Sequence, residues 1–199
     1  MSDAHAHNFD HDVCEPALEG TFNGKLAMWL FLCSEVMFFS GLIGAYMTLR
    51  IGHPENFTAS QAYLHGTYPL ATFNTALLIS SSLTMALAVL AGQKKEKSKQ
   101  IWLLLATAAM GSLFLILKTY EYSIKLDHGY VPSHDLFFSF YWTLTAIHGV
   151  HILAGVIPIL GLAWFARTKD VAGETEMVGL YWHFVDLAWI FLFPILYLI

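Results

Sequence analysis

The run Ile101-Trp-Leu-Leu-Leu-Ala-Thr-Ala-Ala-Met-Gly-Ser-Leu-Phe-Leu-Ile-Leu117 decides the fold. It holds no charged residue and does not alternate between apolar and polar positions, as a membrane-spanning β-strand would over about ten residues. Extended to Ser123 it reaches the roughly 20 mostly apolar residues that an α-helix needs to cross a bilayer. Four further stretches have the same character, so the expected spans are roughly 26–49, 70–91, 101–123, 136–165 and 177–199. The segments between them are polar and rich in Gly, Pro and charge: Gly52-His53-Pro54-Glu55-Asn56 onward to Pro69, Gly92 to Lys99, Asp127 to Ser133, and Arg167 to Glu176. The fold class predicted is an all-α polytopic membrane protein, a bundle of five transmembrane helices over 25–199. It follows an acidic, His-containing cytoplasmic tail over 1–24 that is expected to be flexible.

Composition agrees. Of 199 residues, 56% are hydrophobic and only 13% charged, against about 25% charged in a soluble chain, and the mean hydropathy is +0.54. That balance excludes a secreted enzyme, a nucleic-acid binder and a disordered chain. The net charge of −5 is concentrated in the tail, at Asp3, Asp10, Asp12, Glu15 and Glu19. The tail has neither the basic start nor the apolar run of a signal peptide. Cys14 and Cys33 lie in a polar tail and an apolar span, so a disulfide between them is not expected, and no zinc spacing is present.

With five spans, the tail and the second and fourth connections share one face. That face holds Lys25, Lys94, Lys95, Lys97, Lys99, Arg167 and Lys169, against Arg50 and Lys125 opposite, with Lys118 near that end. Excess Lys and Arg mark the cytoplasmic side, which predicts N-in and C-out. Ser40-xxx-Gly44, Gly41-xxx-Ala45 and Thr107-xxx-Gly111 permit close helix approach, although small residues are common in such helices. Pro158 and Pro194 are expected to kink the fourth and fifth spans.

The informative residues are the ionisable ones in the apolar layer, because each costs about 2.5–3.5 kcal/mol at the bilayer centre unless it faces protein or water. Glu35 lies about 15 Å from the inner end of the first span. His148 and His151 are three apart on the fourth, His183 and Asp186 three apart on the fifth, and Lys118 and Glu121 three apart on the third, so each pair shares a helix face. By depth, Glu35, His151 and Asp186 fall in one layer. Such a layer can be a proton relay or metal site, or an interhelical hydrogen-bond network that fixes packing. Lys118 and Glu121 read as an interfacial pair, with Lys118 snorkelling outward.

Haem ligation would require His148 with His183, since two histidines on one turn cannot take opposite faces of one iron. Structural roles are the plainer account, and copper is no better supported. The tail cluster His5, His7, His11 and Asp10 could catch a metal adventitiously. No nucleotide loop, redox motif or nucleophile triad is present.

The order of motifs carries a resemblance. Lys25-Leu-Ala-Met-Trp-Leu-Phe-Leu-Cys-Ser-Glu35-Val-Met-Phe-Phe39, Phe73-Asn74-Thr75 with Ser80-Ser81-Ser82, Gly111 to Phe114 followed by Glu121-Tyr122, His148-Gly-Val-His151, and Tyr181-Trp-His-Phe-Val-Asp186 with Trp189 and Phe191 occur in sequence. Together they resemble cytochrome c oxidase subunit III in its short, five-helix form, over Lys25 to Ile199. The resemblance implies an accessory subunit of a haem–copper terminal oxidase that reduces dioxygen to water and pumps protons. It implies no cofactor in this chain, with haems and copper in subunits I and II. Implied partners are subunit I as the main contact, subunit II and other respiratory subunits, bound phospholipid, cytochrome c as donor to the complex, and no nucleic acid. The implied location is a bacterial cytoplasmic membrane. Glu35, Glu121, His148, His151, His183 and Asp186 match the family's polar motifs, while Lys118 stands where many members have a glutamine. Quinol oxidase subunit III and a nitric-oxide-reductase accessory protein share similar motifs. Ser34-Glu-Val-Met-Phe-Phe39 inclines the reading to the cytochrome c branch.

Overall fold

The computed structural model describes residues 16–131 and 135–198. Among them the regular structure is helical: α1 (Pro16–Gly52), α2 (Pro54–Ala62), a 3₁₀ turn (His65–Thr67), α3 (Tyr68–Gln93), α4 (Lys97–Asp127), α5 (Leu136–Phe165), α6 (Ala172–Phe193) and a closing π-helical turn (Pro194–Leu198). Five segments, beginning at Gly24, Tyr68, Lys97, Leu136 and Ala172, are long and apolar enough to span a membrane. The chain is a multi-pass membrane protein built of five such helices.

Three expectations need correction. The helix of the first span begins at Pro16, so residues 16–24, assigned to the flexible tail, already have helical backbone. The first connection is a nine-residue helix, α2, begun by Pro54, whose fixed φ and missing N–H suit a first helical turn. At Pro194 α6 ends, and the chain continues as the π turn rather than as α-helix. The tail residues His5, His7, Asp10, His11 and Cys14 lie outside the described residues.

Helices α3 to α6 form the bundle: α3 packs on α4 and α6, and α5 completes the ring by packing on the same two. Outside the ring, α1 leans on α6 and α2 on α5. From Gly24 onward most of α1 is exposed, including Trp29, Leu30, Met37 and Phe38. The tight ends of α3 and α4 are built alike. In each, one N–H reaches back to the carbonyl five residues earlier and another to the carbonyl three earlier (Glu96 to Ala91 and Lys95 to Gly92; Tyr130 to Lys125 and Gly129 to Leu126). Such a cap needs a left-handed residue, supplied by Gly129 (φ 79°) and, unusually, by Lys95 (φ 58°). A 2.7 Å hydrogen bond from Lys99 holds the Glu96 carboxyl below the usual carboxylate range at this turn. At the start of α5, Asp135 accepts from the Phe138 N–H at 2.8 Å and so caps an otherwise unmet donor.

Large aromatics fill the bundle. Trp182 and Trp189 of α6 are buried, and each indole N–H donates to a hydroxyl on α3, Ser81 at 3.1 Å and Thr75 at 3.0 Å. That satisfies the polar tip while the ring fills space. Gly111 and Gly155 leave room for Trp182: a Cβ on either would lie 2.6 or 2.8 Å from its ring. By contrast, a Cβ on Gly41 or Gly44 meets nothing within 4 Å, so the small residues of α1, unlike Gly111, do not mark a close helix contact within this chain.

Candidate functional site

The polar residues singled out from the sequence separate into three pairs around the bundle, with His148 apart from all of them. Glu35 of α1 and His151 of α5 meet at 2.9 Å, Oε2 to Nε2. The other ring nitrogen, Nδ1, lies 2.8 Å from the Ile147 carbonyl oxygen, one helical turn back. A carbonyl can only accept, so Nδ1 carries a proton. The contact with Glu35 then needs one more proton, either on Nε2 or on the carboxyl. Imidazolium with carboxylate and imidazole with carboxylic acid have the same net charge, so one proton can sit at either end without changing the charge of the pair. Phe39 lies edge-on to the His151 ring at 5.1 Å, and the Tyr181 hydroxyl donates to the His151 carbonyl at 3.0 Å. The two side chains remain 19% and 17% exposed, on the flank of the bundle rather than in its core.

His183 and Asp186 face the other way, toward α3. His183 Nδ1 lies 2.7 Å from Ser82 Oγ. Asp186 is buried, with no carboxylate hydrogen bond of normal geometry and with Ser82 as the hydroxyl that approaches it. Depth alone had grouped Asp186 with Glu35 and His151, but the bundle's rotation of α6 puts them in different groups. His148 is fully buried, stacked on Trp189 at 5.0 Å with Phe114 edge-on at 5.8 Å, and neither ring nitrogen has a hydrogen-bond partner. The amide of Asn74 on α3 is buried in the same condition. An unmet buried polar group costs about 1–3 kcal/mol, which makes Asn74, His148 and Asp186 the least satisfied side chains described in the interior.

Lys118 and Glu121 correct the sequence reading most. Lys118 does not snorkel outward but is 3% exposed, and Glu121 is wholly buried. Glu121 is the hub of a network built from three elements. It accepts from Lys118 at 2.9 Å, Lys125 at 2.5 Å, the Tyr141 hydroxyl at 2.9 Å and the Tyr197 hydroxyl at 2.6 Å. Lys118 also donates to Tyr141 and Tyr197, at 3.1 and 2.7 Å. The rings of Tyr122, Tyr141, Trp189 and Tyr197 stand 5.0 to 5.6 Å from its ammonium, a cage that stabilises a cation by its π faces. Lys125, Tyr141 and Tyr197 were not singled out from the sequence. The 118/121/125 spacing, which puts all three charges on one helix face, was the available signal.

Polar pairs also fix the helix ends. Lys25 reaches Glu176 at 3.0 Å, tying α1 to α6. Gln100 donates to Thr175 at 2.9 Å, tying α4 to α6 at the same end. No group of three or more His, Cys, Asp and Glu is gathered in metal-holding geometry among the described residues.

Between α1 and α6 runs an apolar groove of about 370 Å³, lined by residues that include Phe39, Ile43, Phe184, Leu187 and Phe191. At the far end of the bundle, a cleft of about 280 Å³ opens beside the buried network, lined by Tyr63, Gly66, Thr67, Ile124, Lys125, His128 and Tyr130.

Comparison with known proteins agrees with this architecture along nearly the whole chain. The chain is 35% identical over 185 residues to cytochrome c oxidase subunit 3 of Thermostichus vulcanus, covering 87% of this chain and 86% of the relative. It is 34% identical to the protein of the same name from Corynebacterium diphtheriae, covering 85% of each. Cytochrome bo(3) ubiquinol oxidase subunit 3 of Pseudomonas aeruginosa is 30% identical over all of this chain and 94% of its own length. The model of the family described as cytochrome c oxidase subunit III matches residues 14–199, and the chain belongs to that family.

Proposed function

We propose that this chain is the non-redox third subunit of a bacterial cytochrome c oxidase in the cytoplasmic membrane, flanking the catalytic subunit and stabilising it. The observation that carries the reading is the family match over residues 14–199 together with five spanning helices. The mostly exposed α1 supports a flanking role, because its apolar side chains have little contact within the chain and suit lipid or another membrane subunit. Phospholipid acyl chains fit the α1–α6 groove. The Glu35–His151 pair suits a supporting part in proton uptake, since its proton can sit at either end with no change of charge. Haems and copper belong to subunits I and II in this reading.

Cytochrome c as donor is supported by the Ser34-Glu-Val-Met-Phe-Phe39 stretch and by the names of two relatives at 34–35% identity. The quinol branch is the second reading, because the Pseudomonas aeruginosa relative matches this chain throughout. N-in, C-out orientation is supported by the excess of Lys and Arg at one end, at Lys25, Lys94, Lys95, Lys97, Lys99, Arg167 and Lys169.

The test is purification of the tagged chain from its native membrane, with a mass-spectrometric inventory and a visible spectrum. Haem–copper subunits I and II should co-purify, and the complex should oxidise reduced cytochrome c. Preferential oxidation of a quinol selects the second reading, and recovery without any haem–copper partner ends both.

A further inference from the structure

Lys118 and Lys125 are both buried, and among the described residues both pair with the same carboxylate, that of Glu121. With all three ionised, the network carries one positive charge more than it neutralises. The aromatic cage around Lys118 offsets part of that excess for Lys118. Lys125 stands 4.8 Å from one ring, that of Tyr141, and has a further outlet. It lines the 280 Å³ cleft, which also holds Thr67, His128 and Tyr130 and contains no acidic residue. Its ammonium has three N–H donors. One goes to Glu121, and another to Thr67 Oγ1 at 3.1 Å, whose own hydroxyl hydrogen is directed to the Leu64 carbonyl. A cleft this size exceeds the roughly 30 Å³ that one water occupies in the liquid, so it has room for a tetrahedral oxyanion.

We infer that this cleft is an anion site, in which a phosphate-class group, lipid-borne or free, meets Lys125 and supplies the negative charge that the Lys118–Glu121–Lys125 network lacks. Three observations converge on it: a buried excess cation with one ammonium N–H not taken by Glu121 or Thr67, an adjoining cavity open at the end of the bundle, and a lining without a carboxylate. The site is separate from the α1–α6 groove and does not depend on the identity of the oxidase.

The test uses the full-length chain in a neutral detergent, with phosphorus NMR line broadening of two probes, dihexanoyl phosphatidylglycerol and inorganic phosphate. The wild-type chain should broaden the signal of at least one. Broadening by the lipid alone assigns the group to a headgroup, and broadening by inorganic phosphate as well assigns it to the free anion chemistry. Lys125→Gln should weaken binding about tenfold or more, the loss expected for one charge-assisted hydrogen bond. Because that variant also disturbs Glu121, a second one keeps the interior intact. Gly66→Asp places a carboxylate in the cleft, where a Cβ meets nothing within 4 Å, and should abolish binding while the chain stays folded. Lys97→Gln, at the opposite end of the bundle, should bind as wild type. The inference is overturned if neither probe is broadened, if Gly66→Asp binds normally, or if Lys97→Gln loses as much as Lys125→Gln.

Discussion

The Trp182 ring fills the volume that a side chain on Gly111 would need, with its Cη2 atom only 2.6 Å from where that Cβ would stand. Gly155 is related to the same ring in the same way, at 2.8 Å. The indole therefore sits in a slot between α4 and α5 that only glycines can line. Gly111→Leu or Gly155→Val should force the ring aside and break its hydrogen bond to Ser81. Overpacking of this kind costs about 1–3 kcal/mol, and the unfolding midpoint of the purified chain in detergent should fall accordingly. Gly41→Ala, on the open face of α1, should leave the midpoint unchanged. Equal effects at positions 41 and 111 would show that the slot is not what holds the bundle.

Removing the hub charge should be costlier than removing either spoke. Glu121→Gln leaves Lys118 and Lys125 buried without a counter-charge, and breaking such a buried pair costs about 3–5 kcal/mol. Lys118→Met leaves the Glu121–Lys125 pair in place and should cost less. Folded yield and unfolding midpoint measure the order, and a Glu121→Gln chain as stable as wild type would remove the network from the account of stability.

At the α1–α5 contact, Glu35→Gln can still hydrogen-bond His151, whereas Glu35→Leu leaves that ring nitrogen unmet at a cost of about 1–3 kcal/mol. Glu35→Gln is expected to assemble with its oxidase and support normal proton uptake, with Glu35→Leu assembling poorly. Slowed uptake in a fully assembled Glu35→Gln complex would show instead that the pair's mobile proton is used.

Orientation can be read with single cysteines in a background lacking Cys14 and Cys33. A membrane-impermeant thiol reagent applied to intact cells should label a cysteine at Gly129 and spare one at Lys95. The reverse pattern would place the α3–α4 turn outside.

The five spans were legible because each apolar run is long and its borders are polar; α3 and α4 extend the expected borders by two to four residues, while α1 begins ten residues early and α6 gives way at Phe193. The α5 boundary at Leu136 and Phe165 was read as it stands. Helix α2 was not legible, since Pro54–Ala62 is short and polar and reads as a connection. Counting 1.5 Å per residue put Glu35 and His151 at one depth without pairing them. Counting gives depth but not rotation, which is why Asp186 was placed beside them and is found facing α3. Tyr197 was invisible as a partner of Glu121 because 76 positions separate them and the π turn after Pro194 brings it inward.

The loose seating of α1 has a consequence for how the molecule is made. Helices α3 to α6 share their interior and should gain and lose structure as one cooperative unit, while α1 is fastened by a few clasps: Lys25 to Glu176, Glu35 to His151, and Tyr46 to the Ile195 carbonyl. Elements with few buried contacts open at lower free energy than the core they lean on. During synthesis α1 leaves the ribosome ahead of α5 and α6, which carry its clasps, so it docks only after those two have been made.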